Sequence, residues 1–148
     1  MKITFLTERH REDLRRLHSY CFNLPEGEDW FEPDNYIGAF DGQRLVSSVK
    51  INPFEIFFCG RPVKMGGIGA VATLPEYRRR NLAAALLEEA LAVMRDRGDI
   101  FSLLGPFSYR FYRKFGWELA FHRWEYTVSV EDFAGFGRGA GRFLPLTV

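Results

Sequence analysis

Residues 66–85 read GGIGAVATLPEYRRRNLAAA, and this stretch decides the fold. A glycine-containing strand runs to Thr73. Leu74-Pro75 stops it, because proline disfavours helical geometry in the residue before it. The spacing then predicts a helix over Arg78–Arg97. Leu82, Leu86, Ala90 and Val93 form one stripe, Ala83, Leu87, Leu91 and Met94 a second, and Gly98 stands at the C-terminal cap position. Free amides at a helix start, the positive end of its dipole and the guanidinium groups of Arg78, Arg79 and Arg80 make an anion site suited to phosphate. A solvated basic first turn is the plain alternative. Gly67-x-Gly69-x-x-Ala72 matches a dinucleotide-binding fingerprint by letter, but these glycines lie inside a strand rather than at the turn into a helix. Glycine inside a strand marks a bulge or a close backbone approach.

Working outward, Lys2–Leu6 reads as a strand and Thr7 as an N-cap for a helix from Glu8 to Phe22, with Leu14, Leu17 and Cys21 at helical spacing. Residues 23–35 hold two prolines, one glycine and five acidic residues, which is loop composition. Tyr36–Phe40 and Arg44–Ile51 are expected to pair as a hairpin about Asp41-Gly42, in a type I′ turn. Phe54–Phe58 and Val63–Thr73 form a second pair joined near Gly60-Arg61-Pro62. Ile100–Leu104 reads as a short buried strand, Ser108–Lys114 as one or two helical turns, and Glu118–Val130 as a last strand. Gly135, Gly137, Gly139 and Gly141 give residues 131–148 the composition of a tail or linker. This order, with helices set among consecutive antiparallel pairs, is α+β and not a doubly wound sheet.

The chain has 148 residues, enough for one globular domain. Lys and Arg total 20 against 19 Asp and Glu, a balance that argues against a globally basic nucleic-acid wrapper and against a disordered acidic tail. Arg138 and Arg142 add too little charge to change that. Fifteen phenylalanines bring the aromatic share to 16%, area that builds a core or lines a pocket; Phe54, Phe57, Phe58, Phe101 and Phe107 are expected in the core. No apolar run approaches the roughly 18 residues of a membrane span, and the N-terminus turns polar within six residues. Cys21 and Cys59 are too few for a disulfide framework and are expected to pack as small hydrophobes. Cytoplasmic residence follows as the expectation. His10, His18 and His122 have no metal-ligand spacing, so no metal is expected.

Val71-Ala72-Thr73-Leu74-Pro75-Glu76-Tyr77-Arg78-Arg79-Arg80-Asn81-Leu82-Ala83 resembles motif A of the GNAT N-acetyltransferases, Arg/Gln-x-x-Gly-x-Gly/Ala. Pro106-Phe107-Ser108-Tyr109-Arg110-Phe111-Tyr112-Arg113-Lys114-Phe115-Gly116-Trp117 resembles a later motif of the same superfamily, in which a tyrosine precedes Phe-Gly-Trp/Tyr. Together with the acidic-aromatic segment around Trp30, the two are most similar to the N-terminal domain of the Eis-type (enhanced intracellular survival) acetyltransferases, over residues 2–130. The resemblance implies the GNAT fold, a mixed and mostly antiparallel sheet flanked by helices, with residues 1–130 as its domain. It implies that acetyl-CoA lies along Val71, Ala72 and Thr73 with its pyrophosphate on the amides of Arg79 to Ala84. Arg78, Asn81, Leu82, Ala83, Phe107 and Ser108 would complete that site. It also implies that Tyr112 protonates the departing thiolate.

One position departs from the pattern. Asn81 stands where motif A has glycine, so its side chain is expected to crowd the pyrophosphate and lower affinity. Proton transfer from a phenol of pKa ~10 to a thiolate of ~8.5 is uphill by roughly 2 kcal/mol, and Arg110, Arg113 and Lys114 are near enough in sequence to favour the phenolate. The plain alternative for Tyr112 is a half-buried ring whose hydroxyl bonds to backbone. Eis-type enzymes take their base from the terminal carboxylate of a far longer chain, so this chain is expected to be a fragment or a shortened relative. Glu28, Trp30 and Phe31, with Glu26, Asp29 and Glu32, suit a cationic amine through charge and cation–π contact, or form an ordinary polar loop.

Three readings follow, of which the third is nucleic-acid binding through Arg78–Arg80. The first is transfer of an acetyl group from acetyl-CoA to a primary amine on a small molecule or peptide (aminoglycoside, polyamine or lysine-like), without nucleic acid or membrane and with homo-oligomers expected. The second is a GNAT-like domain that binds acyl-CoA or a partner protein without catalysis.

Overall fold

A computed structural model of the chain describes residues 1–24, 32–133 and 135. Its contacts divide it into two units, Met1–Glu118 and Leu119–Val148. In the first, β1 (Lys2–Phe5) leads through a single 3-10 turn at Glu8–His10 into α1 (Arg11–Phe22). Then come β2 (Tyr36–Asp41), β3 (Arg44–Phe58), β4 (Arg61–Thr73), α2 (Leu82–Arg97), β5 (Phe101–Leu104) and α3 (Tyr109–Arg113). The strands form one sheet in the order β1-β2-β3-β4-β5. The first three pairings are antiparallel and β4 with β5 is parallel. The architecture is the α+β fold that the element order predicts.

Periodicity accounts for α2. Leu82, Leu86, Leu87, Ala90 and Met94 are buried, and Gly98 closes the helix at φ 77° with its N–H on the Arg95 carbonyl. Each such leucine contributes about 1.5–3 kcal/mol by burial. The strand glycines mark close approach. A Cβ on Gly66 would lie 2.0 Å from Met94 Sδ of α2, and one on Gly67 2.4 Å from the Phe54 ring on the other face. By the alternation along β3, Ser48 faces away from α2, and α1 covers that face through His18, whose Nε2 lies 3.0 Å from Ser48 Oγ.

Several boundaries differ from those the sequence predicts. The segments expected at Arg44–Ile51 and Phe54–Phe58 are one continuous strand carrying Pro53. Positive φ falls on Gly42 and not on Asp41, so that turn is centred on Gly42-Gln43 with the sign pattern of type II′. The type I′ signature appears instead at Cys59-Gly60, with φ 50° and 75°, which leaves Cys59 exposed rather than packed. Phe54, Phe57 and Phe58 are exposed too, because this end of the β3–β4 hairpin outruns β2, whose pairing stops at Lys50. Phe101 is half-buried against the Phe58 ring, with centroids 4.8 Å apart, and Phe107 is exposed.

In the second unit, residues 119–129 adopt no regular structure, so the last strand expected over Glu118–Val130 does not form. The period-two alternation is present, with Trp124, Tyr126, Val128 and Val130 all exposed, but these residues pair with no strand among the described residues, and a strand exists only as part of a ladder. A single turn at Val130–Phe133 follows. Among the described residues no helix is long and apolar enough to cross a membrane, and no group of His, Cys, Asp or Glu is placed to hold a metal ion.

Candidate active site

The site begins with an irregularity in β4. Ser48 pairs with Ala72 and Lys50 with Gly69, so Ala70 and Val71 stand opposite Val49 alone, and Ala70 takes φ 47° to make the bulge. A bulge re-aims the side chains that follow it. Ser47 fixes the end of the strand, its Oγ donating to the Ala72 carbonyl at 2.6 Å and lying 2.7 Å from Thr73 Oγ1. On the other edge, β5 pairs only with Met65–Ile68, so from Gly69 onward β4 has no neighbouring strand there among the described residues. Its backbone groups on that edge are open to an extended ligand.

Beyond Thr73 the chain makes a 3-10 turn at Pro75–Tyr77 and then passes through Arg78–Asn81 before α2. The helix predicted from Arg78 starts at Leu82, because Arg79 (φ 62°) and Asn81 (φ 58°) are left-handed and no right-handed helix contains such residues. The arginines therefore stand just ahead of the helix rather than in its first turn. Guanidinium groups placed just ahead of a helix start supply positive charge that suits an anion. The amides of Leu82, Ala83 and Ala84 add to it, since the first intrahelical bond is donated by Ala85 to the Asn81 carbonyl. Alanines at 83 and 84 leave those amides uncovered.

These features border one cavity of about 520 Å³. Of the residues expected to hold a coenzyme, Val71, Ala72, Thr73, Arg78, Arg79, Asn81, Leu82, Ala83, Ala84 and Phe107 line it. Two do not. Arg80 lies over the Tyr77 ring, 4.8 Å from its centre, and Ser108 caps α3, accepting from the Phe111 N–H at 3.4 Å. The wall also contains Cys21, Phe22, Tyr77 and Phe111, which the sequence reading did not assign. Tyr77 belongs to the decisive stretch itself. Cys21 and Phe22 come from the end of α1, brought to β4 by tertiary packing that local spacing does not encode; Cys21 Sγ donates to the Thr73 carbonyl at 3.7 Å, and burial raises its pKa. Among the described residues the wall carries two guanidinium groups and no carboxylate.

Tyr112 sits behind this wall. It is 4% exposed, and its ring centroid is 5.2 Å from those of Phe107 and Phe111, both lining residues. Its hydroxyl makes no hydrogen bond among the described residues, so the backbone-bonded alternative does not hold. Burial raises its pKa; the neighbouring cations do not lower it as their place in the sequence suggests, and Arg113 is engaged with Glu118 at 2.8 Å. The Phe115-Gly116-Trp117 turn needs glycine, with φ 96° at Gly116, and Trp117 Nε1 donates to Ser102 Oγ of β5 at 3.1 Å. That bond ties α3 to the sheet. Glu28, Trp30 and Phe31 lie outside the described residues.

A family model described as an acetyltransferase (GNAT) domain matches residues 2–120. An uncharacterized N-acetyltransferase from Streptomyces avermitilis is 31% identical over 108 residues, which cover 72% of this chain and 26% of that protein. The chain thus spans about a quarter of the length of this curated relative. A probable N-acyltransferase of known structure from Enterococcus faecalis is 30% identical with a TM-score of 0.72, over 78% of this chain and 31% of that one. Eis1 from Mycobacterium abscessus, at 22% identity and a TM-score of 0.70 over 78% of this chain and 31% of its own, shares the fold.

Proposed function

The chain belongs to the GNAT acetyltransferase family, and on that premise we propose that it transfers an acetyl group from acetyl-CoA to a primary amine, with Tyr112 as general acid. One observation carries the reading. Among the described residues the cavity joins an open strand edge, uncapped helix amides and two arginines with no carboxylate, which fits a long ligand with a pyrophosphate at one end. In this reading Arg78, Arg79 and the amides of Leu82 to Ala84 hold the pyrophosphate, while Val71 to Thr73 offer backbone partners to the pantetheine arm. Acetyl-CoA supplies an acyl group activated as a thioester.

The amine must be neutral to attack, and the leaving thiolate needs a proton. Tyr112 keeps its hydroxyl protonated through neutral pH, since burial lifts its pKa. The same dry surroundings raise the basicity of a thiolate, so the transfer need not become steeper than in water. Glu28, Trp30 and Phe31 are the proposed amine-binding residues, through charge and cation–π attraction.

A second reading, acyl-CoA binding without turnover, draws on the burial of Tyr112 and its absence from the cavity wall. Thiol release on mixing the longest natural form of the protein with acetyl-CoA and a panel of aminoglycosides, polyamines and lysine peptides separates the two. Release that depends on an amine supports transfer. Calorimetric binding of coenzyme A with no release under any amine supports the second reading instead.

A further inference from the structure

Three arginines run in sequence ahead of α2, yet they are handled differently. Arg78 and Arg79 line the cavity, and Arg80 is laid on the Tyr77 ring. Arg44 at the start of β3 also lies over that ring, 5.7 Å from its centre. Tyr77 Oη donates to Asp41 Oδ2 at 2.8 Å, and Arg44 Nη2 pairs with Glu76 Oε1 at 2.9 Å. Asp41 and Arg44 are the two residues that close the β2–β3 turn. The connection between β4 and α2 is therefore stapled to a turn more than thirty positions away in sequence. The exposed Arg44–Glu76 pair contributes little alone; the bond from a phenol to a carboxylate is the stronger tie.

That connection has reason to be held. Arg79 and Asn81 both keep left-handed backbone, which a loose segment of L-residues abandons. Asp41, Arg44, Glu76 and Arg80 are all exposed, so their pairs add little to the stability of the sheet, and Tyr77 alone of the set packs against the core. We propose that Tyr77, anchored through Asp41, is a positioning residue for the coenzyme cavity. It fixes the Arg78–Asn81 backbone in the shape that turns Arg78, Arg79 and the α2 amides inward, and it keeps Arg80 outside. The inference rests on the reading of the cavity as the coenzyme site.

The test is calorimetric titration of coenzyme A into the wild type, Tyr77→Phe, Asp41→Ala and the double variant. Tyr77→Phe keeps the ring and loses only the hydroxyl. Each single variant is expected to bind about three- to tenfold more weakly, the range one hydrogen bond of ordinary strength sets. The double variant is expected to bind no worse than either single one, and Asp41→Asn, which still accepts from the phenol, to restore most of the affinity. With acetyl-CoA as the varied substrate, KM rises while kcat stays as in the wild type, and melting temperatures change little. Wild-type affinity in the single variants, losses that multiply in the double, or losses that track a falling melting temperature would overturn the positioning role alone. A wild type that fails to bind coenzyme A overturns both this inference and the reading of the cavity.

Discussion

Asn81 holds φ 58° and ψ 18°, a left-handed conformation that costs most L-residues about 1–2 kcal/mol and asparagine less. This demand explains why glycine or asparagine suits the position, which the motif comparison alone presents as a departure. Asn81→Ala is expected to lower stability by about 1 kcal/mol in thermal unfolding. Asn81→Gly removes a side chain from the cavity wall without that strain, so it is expected to bind coenzyme A more tightly in calorimetry. An Asn81→Gly variant that binds no better shows that the side chain fits the ligand. Tyr112 poses a different question, since its hydroxyl contributes no hydrogen bond among the described residues and its ring does the packing. Tyr112→Phe is therefore expected to leave the melting temperature and the KM for acetyl-CoA near wild type. As the general acid it should reduce kcat by about 10²-fold. Equal turnover at saturating acetyl-CoA would remove it from the chemistry.

The elements were legible where a period and a partner are both local. The stripe through Leu82, Leu86 and Ala90 repeats every turn and needs one sheet face to cover it, so α2 was readable apart from its first residues. Those residues, Arg78–Asn81, suit a helix by spacing, and only the left-handed backbone at Arg79 and Asn81 excludes them from it. The alternation over 119–130 was misread for the opposite reason. It says which side chains share a face and nothing about whether a neighbouring strand exists. The cavity was legible along β4 and α2, where the motif is contiguous, and illegible at Cys21 and Phe22, which reach it across the fold. The separation of the arginines carries its own prediction. Arg78→Glu or Arg79→Glu places a carboxylate in the cavity wall and is expected to weaken coenzyme A binding by about tenfold or more. Arg80→Gln, outside the wall, is expected to cost less than about threefold. Equal losses at all three positions in calorimetry would show that position relative to the cavity does not matter.

At the scale of the whole fold, α1 meets the sheet at a buried histidine whose pKa the fold lowers. His18 is 1% exposed, with Nε2 3.0 Å from Ser48 Oγ and its ring 5.3 Å from those of Phe22 and Tyr36. Burial first, and the charge of Lys50 second, push its pKa down to about 4 from 6.5. The folded protein therefore keeps this imidazole neutral, while the unfolded chain takes up a proton below about pH 6.5. Above that value the group costs folding nothing. As pH falls from 6.5 toward 4 the unfolded state gains protons that the folded state refuses, and stability declines by about 3 kcal/mol at most. Below about 4 both states are protonated and this group adds no further slope. His10 shifts in the same direction but lies near the surface, and the lowered Glu8 and Glu76 act below 4.5, so the window belongs mainly to His18. Urea unfolding at pH 7.5, 6, 5 and 4 is expected to show the decline. In His18→Gln the amide can still bond to Ser48 and cannot titrate, so the curve between 6.5 and 4 should flatten even if the plateau is lower. Parallel curves for the two proteins would place the acid sensitivity elsewhere in the fold.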